Sequence, residues 1–233
     1  KFCRFMSTAI IITTLNEIVG VKKIVPQINK KWAEEIIFLD GGSTDGTIEE
    51  AKKMGFKVVM QKEKGEFAGG HGAAVLEGVD ATTSDNIILF GPDGNDEVEK
   101  IPELIEKIKE GYDQVLVTRF GKGSVNLDAD IVDTFGNKMF AFLVNVFFGG
   151  HWTDILNESR IISRKAFNEL KFDAMGMSST QQMSIRGLKR KQKICEIIGN
   201  EGKRVGGKRK MHPLSTGASL SWGIIKEFIF WKM

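Results

Sequence analysis

Five short apolar segments recur through the first half of the chain: Ser7 to Thr13, Glu35 to Asp40, Lys57 to Gln61, Asn86 to Phe90 and Gln114 to Thr118. They are rich in Ile, Val and Leu, and each reads as a buried strand. Between them lie stretches with helical spacing: Asn16 to Lys30, Asp45 to Met54, Gly72 to Thr82 and Ile101 to Lys109. Strands alternating with helices of this length imply βαβ units and a mostly parallel central sheet, an α/β fold. In such sheets ligands bind beyond the carboxyl ends of the strands.

The alternation fades after about Gly121. Gly121 to Asp133 is polar and turn-rich, Met139 to Phe148 is apolar and reads as a core helix, Glu158 to Phe167 suggests a strand running into a helix, and Ile194 to Ile198 a short strand. No linker or repeat divides the 233 residues. A single domain over 1–233 is expected, with a nucleotide half up to about residue 120 and an acceptor half beyond it.

Composition narrows the class. The chain is 42% hydrophobic and 27% charged with a formal net charge of +3, a balance too weak to point to nucleic acid. The positive charge is uneven, with dense runs at Lys189 to Lys193 and Lys203 to Lys210 that suit phosphates or an anionic membrane surface. The two cysteines, Cys3 and Cys195, form no ligand cluster, which fits a reducing compartment. No apolar run reaches the roughly 20 residues of a membrane span. A cytoplasmic protein is expected, held at the inner membrane face by the basic and apolar C-terminal region if it meets a membrane.

Three segments carry candidate chemistry. Leu39 to Thr47 (LDGGSTDGT) ends a strand with an acid, Asp40, and passes through glycines toward a helix. Asp40 can accept hydrogen bonds from a base or ribose, and the glycines allow close backbone approach; an Asx turn accounts for the same residues. Gly69 to Gly78 (GGHGAAVLEG) is a glycine-rich loop entering a helix whose start can face an anion. Phe90 to Asp96 (FGPDGND) follows an apolar strand directly. Its Asp93 can hold a hard divalent cation, with Asn95 and Asp96 as added oxygen donors, although Pro-Asp-Gly is also a strong turn signal.

Taken in order with TTLNE (Thr13 to Glu17), VTRF (Val117 to Phe120), WTDILNESRIISRKAF (Trp152 to Phe167) and KRVGGKRKM (Lys203 to Met211), these segments resemble family 2 glycosyltransferases of the GT-A fold. The branch they resemble is that of dolichol-phosphate mannose synthase and polyprenyl-phosphate sugar transferases. The resemblance implies inverting transfer from a nucleotide-diphosphate sugar to an acceptor, a polyprenyl phosphate or a glycan, with Mg²⁺ or Mn²⁺ as cofactor. It implies that Glu17 and Asp40 hold the nucleoside, with Thr14, Gly42, Ser43 and Gly72 in the donor site. Arg119, Arg204 and Lys208 would meet phosphates, Asp93 and Asn95 the metal, and Asp93 and Asp154 would be the catalytic acids, Asp154 as base for an alcohol acceptor.

The chain departs from the family pattern at defined places. Gly41 stands where a second acid is usual, Gly91 where the first acid of Asp-x-Asp is usual, His71 where a lysine is usual, and Gln181 and Gln182 where an acidic pair is common. Two other readings are a degenerate nucleotide-binding protein and a sugar-1-phosphate nucleotidyltransferase. The second lacks the N-terminal glycine-rich loop with Arg and Lys that a triphosphate needs.

Overall fold

The computed structural model describes residues 6–62, 70–207 and 213–231. Cys3 and Lys208 lie outside them. The described residues form one seven-stranded sheet in the order β3-β2-β1-β4-β6-β5-β7. The strands are β1 (Thr8–Thr14), β2 (Glu35–Asp40), β3 (Lys57–Met60), β4 (Asn86–Phe90), β5 (Gln114–Thr118), β6 (Arg160–Ser163) and β7 (Ile194–Ile198). All neighbours pair in parallel except β6, which runs antiparallel to both β4 and β5. The expected mostly parallel sheet is therefore present, with one reversed strand.

Alternation along the central strands sets the two faces. Ile10, Ile12, Ile88 and Phe90 pack into one cluster with Val21 and with Ile101, Leu104 and Ile108 of α4 (Ile101–Lys109). Ile11, Ile87 and Leu89 pack into the other with Val75 and Val79 of α3 (Gly70–Asp80) and Phe167 and Leu170 of α6 (Arg164–Leu170). Both faces of β1 and β4 are covered, so these strands read as unbroken apolar runs.

Three expectations change. The helix expected over Asn16 to Lys30 is a single short helix, α1 (Ile18–Lys23), followed by 3-10 turns at Val25–Gln27 and Lys30–Trp32. Pro26 lacks an N–H and cannot continue the α-helical ladder. The helix α2 (Thr47–Lys53) starts after Gly46 in the left-handed region, while Asp45 Oδ1 accepts from Thr47 N at 3.0 Å. The apolar stretch read as a core helix is the end of a longer one, α5 (Ile131–Phe148), opened by a capping box between Asp130 and Asp133. It is mostly exposed: 22% of it is buried, and it is the one described helix long and apolar enough to cross a membrane.

Two further helices, α7 (Ser179–Lys189) and α8 (Pro213–Ile229), complete the C-terminal part of the described chain. Phe140, Ala141 and Val144 of α5, Ile185 of α7, and Leu220 and Ile224 of α8 form a third cluster around Trp152. Arg186, fully buried, joins α7 to α8 through Glu227 at 2.8 Å. Gln182 stands beside it, donating to Glu227 at 3.0 Å and accepting from Asp173 N and Ala174 N. The glutamine at a position where the family favours an acid thus ties the 173–174 loop to α8.

Candidate active site

The sheet places one rim of chain termini together. Thr13 and Thr14 end β1, Gly91 to Asp96 follow β4, and Arg119 follows β5. Because β6 is reversed, the residues preceding it, Asn157 and Glu158, arrive at the same edge. The segment after β7 brings Glu201 and Arg204. These groups line a cavity of about 510 Å³, into which Glu17, Gln61, His71, Asp128 and Met177 also open.

Charge inside the cavity is organised in three clusters. Arg204 Nη2 lies 2.6 Å from Asp93 Oδ2, and its Nη1 lies 3.6 Å from Glu17 Oε1. Arg119 Nε lies 2.7 Å from Asp154 Oδ2 and its Nη1 2.8 Å from Glu201 Oε1. Burial opposes the charge on Arg119, but the carboxylates around it, Asp154 foremost with Glu201 and Asp96, together more than offset it and hold the guanidinium firmly protonated. His71 Nε2 lies 3.1 Å from Glu158 Oε2, its Nδ1 shares a 2.6 Å hydrogen bond with Ser179 Oγ, and Glu158 Oε1 accepts from Thr13 Oγ1 at 2.7 Å.

The site is acid-rich around Gly91. A Cβ placed on Gly91 would stand 3.5 Å from Asp96 Oδ2, 3.8 Å from Glu158 Oε2 and 3.9 Å from Asp93 Oδ1. Burial, together with the charges of Asp93 and Glu158, pushes the Asp96 carboxyl up to about 8. For Glu158, burial acts in the same upward direction, but the adjoining His71 outweighs it and the carboxyl is held below its ordinary value. His71 is raised by the same pairing against the effect of burial.

The structure separates the expected site residues. Thr14, Glu17, Asp93, Asn95, Arg119 and Arg204 line the cavity. Asp40, Gly42, Ser43, Gly72 and Asp154 do not. Asp40 is 1% exposed, with Oδ1 accepting from Gly42 N and Ser43 N and Oδ2 from Ser43 Oγ and Thr14 Oγ1. Both carboxylate oxygens are engaged locally, so in this structure Asp40 holds the rim together and does not open into the cavity. Gly42, at φ 98°, supplies the left-handed residue of that turn, and Ser43 Oγ accepts from Asn16 N at 2.8 Å as it pins the neighbouring loop.

Gly72 answers to packing. A Cβ there would overlap the carbonyl oxygen of Ala174, because α3 crosses the 174–175 backbone in contact. Asp154 is fully buried, and beyond Arg119 its Oδ1 accepts from Leu156 N at 3.0 Å and Asn157 N at 3.2 Å. The carboxylate is thus engaged in holding Arg119 and the 156–157 backbone and does not open into the cavity in this structure. Asn95 spends its side-chain amide on Asp128 Oδ2 at 3.0 Å and Gly202 O at 2.8 Å, bracing the turn against the 200–204 segment. Both contacts use the Nδ2 donor and leave Oδ1, the atom a metal would meet, outside them.

Glu158 and Glu201 enter the cavity without having been singled out as site residues, and Asp96, expected as an added oxygen donor beside Asp93, lines it too. Glu158 had a signal, since it opens the segment expected to form a strand, which begins two residues later at Arg160. Only the reversal of β6, invisible in the local pattern, brings it to the ligand edge.

Residues 9–171 match the family model described as Glycosyl transferase family 2. The chain belongs to that family. It is 27% identical over 188 residues to Glycosyltransferase AglJ of Haloferax volcanii, covering 79% of this chain and 59% of that protein. It is 27% identical over 225 residues to the Dolichyl-phosphate hexose transferase of the same organism, covering 95% of this chain and 94% of that one. Among solved structures it is similar in fold to glucosyl-3-phosphoglycerate synthase from Mycobacterium tuberculosis in complex with Mn²⁺, UDP and glucosyl-3-phosphoglycerate, at a TM-score of 0.71 and 20% identity, covering 94% of this chain and 77% of that one. The central sheet flanked by helices is thus the GT-A fold.

Proposed function

We propose that this chain moves a sugar from a nucleotide-diphosphate sugar to a polyprenyl phosphate, inverting the anomeric carbon. The observation that carries the reading is the cavity at the strand ends, where Arg204 meets Glu17 and Asp93 on one side and Arg119 meets Glu201 on the other. Two cations within one acid-lined pocket suit a ligand that bears both a polar nucleoside and a charged diphosphate.

In the reaction, a phosphate oxygen of the lipid attacks the anomeric carbon as the bond to the nucleoside diphosphate breaks, and the electron pair leaves with the diphosphate. Arg204 and Arg119 stabilise the negative charge that gathers there. A lipid phosphate arrives ionised and needs no general base, which agrees with the enclosure of Asp154. The relative named as a dolichyl-phosphate hexose transferase supports the same acceptor class.

A divalent cation would add charge neutralisation at the diphosphate. Asp93 is the residue to hold it, with diphosphate and water oxygens completing the shell, the arrangement Mg²⁺ favours. Among the described residues no group of three or more His, Cys, Asp or Glu side chains forms a cage for a metal. The fit is therefore to a cation brought with the donor.

Titration with UDP, GDP and dTDP, with and without Mn²⁺, tests the donor site. Binding of at least one is expected, and binding of none overturns the transferase reading. Radiolabelled nucleotide sugars offered to polyprenyl phosphate and to soluble glycans test the acceptor. Transfer to glycans alone overturns the lipid assignment.

A further inference from the structure

The helices α5 and α8 lie against one another, with Phe228 5.4 Å from Phe147 and 6.2 Å from Phe148 by ring centroids. Their inner positions fill the cluster around Trp152, yet their outer positions are also apolar. On α5, Ile131, Phe135, Phe142 and Val146 recur at spacings of four and seven residues, one face of a helix, and are 60–88% exposed. On α8, Trp222, Ile225 and Phe228 are 44–59% exposed, and Phe230 just beyond its end is 66% exposed. An apolar surface shared by two helices marks a contact site, where scattered single residues would need no explanation.

The charges around this surface decide what it contacts. Lys138 stands exposed between Phe135 and Phe142 on α5. At the far end of α8, Trp231 lies beneath Arg190 at 5.0 Å and Lys189 at 4.8 Å, and Lys191 follows exposed. The nearby acids are engaged: Asp173 pairs with Arg186 and Lys226, Glu227 is buried against Arg186, and Asp130 and Asp133 cap α5. Aromatic side chains mixed with long cationic ones suit the headgroup boundary of an anionic bilayer, where rings bury and ammonium groups reach the phosphates.

We infer that the joint outer face of α5 and α8 docks on an anionic lipid bilayer and turns the cavity rim toward it. The orientation follows from the chain path. Asp128 and Met177 line the cavity, and Ile131 opens α5 close behind Asp128. A phosphate borne by a membrane lipid is then presented at the cavity mouth. That last clause rests on the proposed lipid-phosphate acceptor, whereas docking itself does not. The basic and apolar C-terminal region is the segment expected to meet membrane from sequence; α5, read there as core, joins it in the exposed apolar surface.

Co-sedimentation with phosphatidylcholine vesicles, with and without phosphatidylglycerol, tests the docking. The protein should pellet with the phosphatidylglycerol vesicles and be released by salt. Phe142→Ser with Phe228→Ser should lower partitioning by at least tenfold, and Lys138→Glu with Lys191→Glu by about tenfold or more. All four side chains are exposed, and an unchanged circular dichroism spectrum checks the fold. No partitioning of the wild-type protein onto either vesicle overturns the inference. So does a wild-type dimer in analytical ultracentrifugation that Phe142→Ser dissociates, because the face would then join two copies. Vesicle binding without nucleotide binding would sink the transferase reading and leave docking intact.

Discussion

The Arg204 guanidinium bridges two acids from different parts of the chain, lying 2.6 Å from Asp93 and 3.6 Å from Glu17. One cation therefore connects the turn after β4, the start of α1 and the segment after β7. Arg204→Ala should weaken nucleoside diphosphate binding by roughly tenfold to a hundredfold, the range of a hydrogen bond to a charged group. Calorimetric titration measures this directly. Unchanged affinity would remove Arg204 from the donor site.

Asp93→Ala should abolish any enhancement of nucleotide binding by Mn²⁺, since no other described carboxylate is assigned to the cation. The comparison is the ratio of affinities with Mn²⁺ and with chelator in wild type and variant. If enhancement persists undiminished, the ligand assignment is wrong.

Asp154 is fully buried against Arg119. Asp154→Ala leaves a largely buried guanidinium with only Glu201 as its ion-pair partner and three backbone N–H groups, of Arg119, Leu156 and Asn157, without their acceptor. A loss of about 3–5 kcal/mol is expected for breaking such a pair, read from the denaturant midpoint. A variant as stable as wild type but inactive would restore Asp154 as a base.

The His71–Glu158 pair sets a pH window. Glu158 is held below its ordinary 4.5, so its contribution is present above that value and is lost as pH falls through its folded pKa. His71 is raised above 6.5, so its contribution is full below 6.5 and is lost as pH rises through its folded pKa. The pair stabilises most between these two values. His71→Gln should cost more stability at pH 5.5 than at pH 9, measured by urea unfolding at both. An equal cost would show that the pair is not ionised.

Glycines give a packing test. Gly72→Ala should destabilise by about 1–3 kcal/mol, because α3 must move off the Ala174 backbone. Gly217→Ala on α8 meets nothing within 4 Å and should be neutral or stabilise by up to ~1 kcal/mol through helix propensity. Thermal unfolding of the two variants side by side checks both.

Sequence alone determined the strands β2, β4, β5 and β7 to the residue, the α/β class and the family, because buried strands bounded by turn residues leave a local pattern. It did not reveal α7, where Gln, Ser, Thr and Arg are buried alongside only Met183 and Ile185, too few apolar residues to show a helical period. It extended α1 past Pro26 and shortened α5, missing the Asp130 cap.

Tertiary structure decided which polar residues face the cavity. Asp40 and Asp93 both precede a glycine at the carboxyl ends of strands, one closing β2 and the other just past β4, contexts that local pattern does not rank. In the fold, Asp40 is consumed by its own turn, while Asp93 opens into the cavity beside Arg204. Glu158 reaches the same cavity only because β6 runs backwards. The outer face of α5 is apolar in sequence just as a core helix is. Only the packing of α8 against its other side shows that nothing among the described residues covers it. Local sequence records a residue's chemistry and its nearest neighbours along the chain; exposure depends on partners far away in sequence, which the sheet order alone brings together.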